Sequence, residues 1–185
     1  MRKLLTFICI VALCFSIVGC GASNDPKDLV RAIYESDKAL PEKFVESFNV
    51  LSETAITERT PFEPTDKKSE FYKAEYRLDE WKGATGETAE IGEHRIEMVN
   101  FGSAGDPALE NNKLRIYVTT DTIDAALAIF PSAVWAMDPD APEEEVQELI
   151  DHIKEWGIKN GLFVGKLKGT FFRQKNGAQF MLELS

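Results

Sequence analysis

His94 and His152 are the only histidines in this 185-residue chain, and histidine is the side chain best placed to exchange protons near neutral pH. His94 stands between Glu93 and Arg95 and is followed by Arg-Ile-Glu-Met; His152 follows Asp151 and precedes Ile-Lys-Glu-Trp. Neither opens the HExxH string of a zinc hydrolase. A Ser-His-Asp site can assemble in any chain order, but no Gly-x-Ser-x-Gly turn nominates its serine. Gly102-Ser103-Ala104-Gly105 has the wrong spacing. Both histidines therefore read as solvated side chains. Among the acids, Asp138, Asp140, Glu143, Glu144 and Glu145 form the densest cluster. It lacks the glycine and the spaced Asp/Asn positions of a calcium loop, and acids at a helix start are explained by capping and the helix dipole. A two-carboxylate hydrolase needs acids facing each other across a cleft, which spacing along one chain does not show. No phosphate-binding glycine loop is present, and nothing calls for a cofactor or a metal. The remaining candidates are aromatic: Trp81, Tyr72, Tyr76 and Trp135 could line a groove for a peptide, a glycan or a lipid tail, since Trp favours binding hot spots. The alternative for Trp135 is burial in the core, and Phe44 and Phe48 read as core.

The three cysteines, Cys9, Cys14 and Cys20, all fall within the first 20 residues. The rest of the chain has no thiol for a disulfide, a thiolate metal site or cysteine catalysis. Arg2 and Lys3 precede an apolar run from Leu4 to Val18 interrupted only by Thr6 and Ser16. At about 15 residues it is shorter than the roughly 20 that span a bilayer, and its basic start and small closing residues mark a secretory signal peptide. Ile17-Val18-Gly19-Cys20 resembles the lipobox of bacterial lipoproteins. That resemblance covers residues 1–20 alone. It implies diacylglyceryl transfer to the Cys20 thiol, cleavage before Cys20 and anchoring through acyl chains, two of which hold a protein stably where one does not. Gly21 stands where Asp would imply retention at the inner membrane of a Gram-negative cell. The implied location is the outer membrane in such a host, and the outer face of the cell membrane otherwise.

Removing residues 1–19 from 185 leaves 166, enough for one domain with its own core. Losing the leader's two cations takes the formal charge from −10 to −12. That balance disfavours nucleic acid and anionic headgroups as partners, because both repel it. The expected organisation is a signal peptide over 1–19, a lipidated Cys and tether over 20–25, and a single domain over 26–185.

The periodicity predicts the elements that must position any site. Asp25 and Pro26 suit a helix start, with Leu29, Val30, Ile33, Tyr34 and Leu40 at helical spacing. Leu40-Pro41 breaks it, and Phe44, Val45, Phe48, Leu51 and Ala55 form a second stripe. Thr57 to Ser69 reads as a loop. Tyr72 to Leu78, His94 to Phe101 and Lys113 to Thr120 alternate as strands, with a turn at Gly83 to Gly86. A helix from Asp121 carries Ile123, Ala126, Leu127 and Phe130, and Pro131 is expected to bend or end it. Asp140 with Glu143 reads as a capping box. The helix behind it carries Val146, Leu149, Ile150, Ile153 and Trp156, closed by Gly157 or Gly161. Leu162 to Arg173 and Ala178 to Leu184 read as two strands about Asn176-Gly177, a hairpin signal. Phe163, Leu167 and Phe171 fall on one face with Gly165 and Gly169, leaving room for the Trp156 helix. The predicted fold is α+β: an antiparallel sheet of about five strands with helices on one face, in the order ααβββααββ. No internal repeat is evident.

The function expected from these residues is a membrane-anchored envelope lipoprotein with a non-enzymatic domain that binds an envelope protein or a small ligand. Two alternatives stay open: an envelope hydrolase using carboxylates or a Ser-His pair at His94, and a carrier of lipids or amphiphiles. Oligomeric state is open.

Overall fold

A computed structural model describes residues 25–62, 85–101 and 113–184. The leader, Cys20, Tyr72, Tyr76, Trp81 and the strand expected over Tyr72 to Leu78 lie outside the described residues. The fold is α+β, as its alternating and helical periods predict. The described elements are α1 (Pro26–Tyr34), α2 (Leu40–Leu51), β1 (Ile56–Phe62), β2 (Thr85–Ile91), β3 (His94–Phe101), β4 (Lys113–Thr120), α3 (Ile123–Met137), α4 (Glu143–Trp156), β5 (Ile158–Val164), β6 (Leu167–Gln174) and β7 (Gly177–Leu184). The strands form one antiparallel sheet in the order β1-β2-β3-β4-β7-β6-β5. A helical pair followed by an antiparallel meander thus occurs twice, and the two meanders join along β4 and β7.

Among the described residues the sheet has seven strands rather than about five, and the order is ααββββααβββ rather than ααβββααββ. Each added strand has a physical reason. β1, expected as a loop, buries only Ile56 and so carries no alternating apolar signal. Its backbone pairing to β2 makes it a strand, and Pro61 is tolerated because β1 is an edge. β2 buries only Gly86, Ala89 and Ile91, two of them too small to register as a strand. The single strand expected over Leu162 to Arg173 is two, because the chain reverses between Val164 and Leu167.

That reversal resets the alternation. Leu162 faces Gly169, Phe163 faces Lys168 and Val164 faces Leu167. Phe163 therefore lies on the opposite side of the sheet from Leu167 and Phe171, not beside them. Gly169 is needed for a different neighbour than expected: a Cβ there would collide with the backbone carbonyl of Met181 on β7, not with a helix.

α2 and α3 pack on the face formed by Ile96, Met98, Ile116, Val118, Phe180 and Leu182. Between the layers, Phe130 meets Phe180 edge-on at 5.3 Å, and Phe171 stacks on Phe180 at 6.2 Å. Phe44 and Phe48 join this core, both fully buried. α3 continues through Pro131 to Met137 instead of ending there. A proline inside a helix costs about 3 kcal/mol. Phe130, Val134 and Met137 around it are buried, each contributing roughly 1.5–3 kcal/mol, so burial wins.

α1 starts as its sequence predicts, with Asp25 accepting a hydrogen bond from the Lys27 N–H at 2.9 Å and Pro26 in the first turn. It ends at Tyr34, and Leu40 opens α2 instead of closing α1. α4 starts without a side-chain cap: Pro142 holds the cap position, and Asp140, expected to cap it, is bound by Arg31 at 2.9 Å. Gly157 ends α4 in the left-handed conformation, φ 67°. No described helix is long and apolar enough to cross a membrane.

Candidate functional site

α4 runs beside β5, the last strand of the sheet. Val146, Leu149, Ile150 and Ile153 turn into the core, which leaves Glu145, Glu148 and His152 on the helix flank nearest the strand. Together with Leu149, Gly161 and Phe163 they line a groove of about 320 Å³. Glu145 is held in place by accepting the Gly165 N–H at 3.0 Å. Phe163 forms the other wall and is 71% exposed; Trp156, 65% exposed, stands at the end of α4 with its ring 6.5 Å from that of His152. These are the two most exposed large apolar side chains of the described residues. The outward side of α4 is acidic: Glu144, Glu145, Glu148, Asp151 and Glu155 are exposed, against Lys154. The groove therefore joins apolar surface to carboxylates.

A second polar region lies on the sheet face opposite the helices. The cross-strand register puts Arg115 of β4, Glu183 of β7 and Lys168 of β6 in one row. Arg115 donates from Nε to Glu183 Oε2 at 2.5 Å, with Nη2 paired to the same oxygen, and Lys168 Nζ meets Oε1 at 2.9 Å. Arg115 also donates to the Tyr117 hydroxyl at 3.4 Å. Burial alone would raise the Glu183 carboxyl, but the Lys168 hydrogen bond and the Arg115 charge hold it below the usual carboxylate range. Burial likewise works against the Arg115 cation, and Tyr117 and Glu183 more than restore it. In the neighbouring row Glu97 pairs with Arg95 through one carboxylate oxygen, while Oε2 is buried without a hydrogen-bond partner. Around Glu183 both carboxylate oxygens are paired in an ion network at mid-sheet, whereas Glu97 in the neighbouring row is paired through one oxygen alone.

Of the aromatic residues nominated from sequence, only Trp135 is among those described, and it is engaged within the fold. It is half-buried, donates from Nε1 to the Ala141 carbonyl at 3.1 Å, and lies beneath the Lys27 ammonium at 4.3 Å from the ring centroid. His94 sits half-buried at the start of β3, opposite Ile91, and its Nδ1 has no hydrogen-bond partner. No serine or carboxylate of the described residues binds His94 Nδ1. Among the described residues, no group of three or more His, Asp or Glu side chains comes together to hold a metal.

The groove residues escaped sequence reasoning for a specific reason. Trp156 falls in phase with the apolar stripe of α4, and Phe163 in phase with Leu167 and Phe171 across a turn that the alternation conceals. The one available signal was the pair Gly165-Lys166, which separates the two strands. No family model, curated protein or solved structure matches the chain.

Proposed function

We propose that this protein is a lipid-anchored lipoprotein of the bacterial envelope, held by an acylated Cys20, whose α+β domain is a non-enzymatic binding module. The observation that carries the reading is the placement of Ile17-Val18-Gly19-Cys20 immediately before the first helix. Asp25 already caps α1, so only Gly21 to Asn24 separate the cap from the lipidated residue. Chain geometry allows about 3.6 Å per residue, which keeps the α1 N-terminus within roughly 20 Å of the bilayer. Signal peptide, short tether and domain follow one another without spare chain.

Binding, rather than catalysis, is supported by the exposed Phe163 and Trp156 beside the α4–β5 groove, and by His94 Nδ1 having no hydrogen-bond partner among the described residues. The carrier alternative asks for apolar space between helices and sheet, where Phe44, Phe48, Phe130, Phe171 and Phe180 are fully buried against one another and their neighbours. The location proposed is the outer membrane of a two-membrane host, or the outer face of the cell membrane in a host with one.

The test is Cys20→Ala expressed beside the wild type, with membrane fractionation and intact-mass measurement. The wild type is expected in the membrane fraction, starting at Cys20 and carrying acyl mass; the variant is expected to lose both the acyl mass and the anchoring. Unchanged anchoring of Cys20→Ala would refute the reading.

A further inference from the structure

We infer that the α4–β5 groove binds a cationic segment of a partner polypeptide, one that places an apolar side chain beside a lysine or arginine. This rests on the reading of the domain as a binding module and names the chemistry of its partner. Size comes first. About 320 Å³ is at the small end of ligand sites, enough for one or two side chains rather than for a whole amphiphile. A partner that offers side chains from a larger surface fits that space.

Charge decides the type. Glu145 and Glu148 flank the apolar surface of Leu149 and Phe163, and Asp151 and Glu155 extend the acidic flank along the helix. A lysine or arginine lays its methylene stem on apolar surface while its head meets carboxylate. An acidic or neutral partner would desolvate those carboxylates without compensation. Three of the nearby cations are engaged elsewhere: Lys168 is bound to Glu183, Lys27 to Glu143, and Lys166 lies 3.9 Å from Asp138 and 4.0 Å from Asp140. The exposed Lys154 on α4 stands against the exposed Glu144, Glu145, Glu148, Asp151 and Glu155 of that helix.

Position adds a constraint. β5 closes its side of the sheet, so no further strand lies along its outer edge among the described residues, and an extended segment can run there. The first turns of α1 and α4 are joined by Lys27 and Glu143 at 3.1 Å. This puts the Glu145 end of the groove on the side of the α1 N-terminus.

The experiment uses the mature lipidated protein in phosphatidylcholine nanodiscs, with empty discs as reference. Fluorescence anisotropy follows a short labelled peptide alternating lysine and leucine, its glutamate–leucine counterpart, and competition by spermine. The lysine–leucine peptide is expected to bind, and Phe163→Ser and Glu148→Gln are each expected to weaken it by about tenfold. Glu90→Gln, an exposed acid on β2, is expected to leave affinity unchanged. Phe163 and Glu148 are exposed, so urea unfolding should show both variants folded like the wild type. Equal affinity of all variants would assign binding to net charge alone and overturn the inference. Binding of the glutamate–leucine peptide would overturn it as well. Displacement by spermine at similar concentration would replace the polypeptide by a small polycation. The anisotropy comparison is between variants and does not need the lipid: should the Cys20 test fail, the same measurements are made on the protein free in solution, so the two readings fail separately.

Discussion

Glu183 of β7 stands directly across from Arg115 of β4 and divides its two carboxylate oxygens between that guanidinium and the Lys168 ammonium of β6. Three adjacent strands are thereby tied on the face opposite the helices. The Glu183 carboxyl lies below the usual carboxylate range in the folded protein. The unfolded chain binds its proton more readily, near the ordinary value of about 4.3. The contribution is thus present above that value and is lost as pH falls through the lowered folded value. Urea unfolding between neutral and acidic pH should show this loss, and Glu183→Gln should flatten it. Removing one member of a buried pair costs about 3 kcal/mol, so the variant should be less stable at neutral pH by that order. Equal acid sensitivity of variant and wild type would be inconsistent with the network.

Gly169→Ala should be more damaging than its size suggests. The added methyl would meet the Met181 carbonyl, a backbone atom of the neighbouring strand that has no side-chain rotamer to adjust. Strand separation between β6 and β7 would have to increase at the Gly169–Leu182 pair. A loss of about 2–4 kcal/mol is expected by chemical denaturation. Wild-type stability in this variant would show that the strands do not approach so closely.

The tryptophans should separate by role. Trp135 is braced by its hydrogen bond to the Ala141 carbonyl and by Lys27 above its ring. Trp135→Phe should cost about 1–2 kcal/mol of stability through the lost buried hydrogen bond and packing. Trp156→Ser should change stability by no more than about 0.5 kcal/mol, since surface substitutions rarely do more. Removing Trp156 should also take away a more solvent-quenchable part of the fluorescence than removing Trp135, measured with acrylamide. The opposite ranking in stability would reverse the assignment.

Tyr34 should ionise late. Burial raises its phenol, and the charge of Asp138 adds to the shift. Asp138 is itself buried and accepts the Lys166 N–H at 2.8 Å, pinning the β5–β6 turn to the end of α3. Because the folded value lies above the unfolded one, the contribution of Tyr34 to stability is present below the ordinary tyrosine value of about 10. It is lost as pH rises from there through the folded value. Tyrosinate absorbance compared between wild type and Tyr34→Phe should locate this late step. Asp138→Asn should bring it earlier by removing the charge.

Much of the fold was legible because local rules and tertiary packing agree. Asp25 and Pro26 mark the start of α1, the stripe from Val146 to Ile153 faces the core, and β3, β4 and β7 occupy the predicted segments closely. The exceptions share a cause. β1 and β2 are held by backbone pairing and bury little, so hydrophobic patterning does not reveal them. Pro131 obeys its local rule only where burial does not outweigh it. At the groove, Trp156 and Phe163 have the residue types and phases of core side chains. Only the reversal after Val164 and the end of α4 leave them exposed.

The residues by themselves determined the α+β class, the helix faces, the absence of any thiol beyond Cys20, and the lipobox resemblance, because each depends on chemistry or on neighbours a few positions away. Tertiary structure alone decided that Arg115, Glu183 and Lys168 meet, that Trp135 is tied beneath Lys27, and that a groove opens between α4 and β5. Those outcomes depend on which strands become neighbours. β4 pairs with β7 across 58 to 68 residues of sequence, and no local period encodes that pairing.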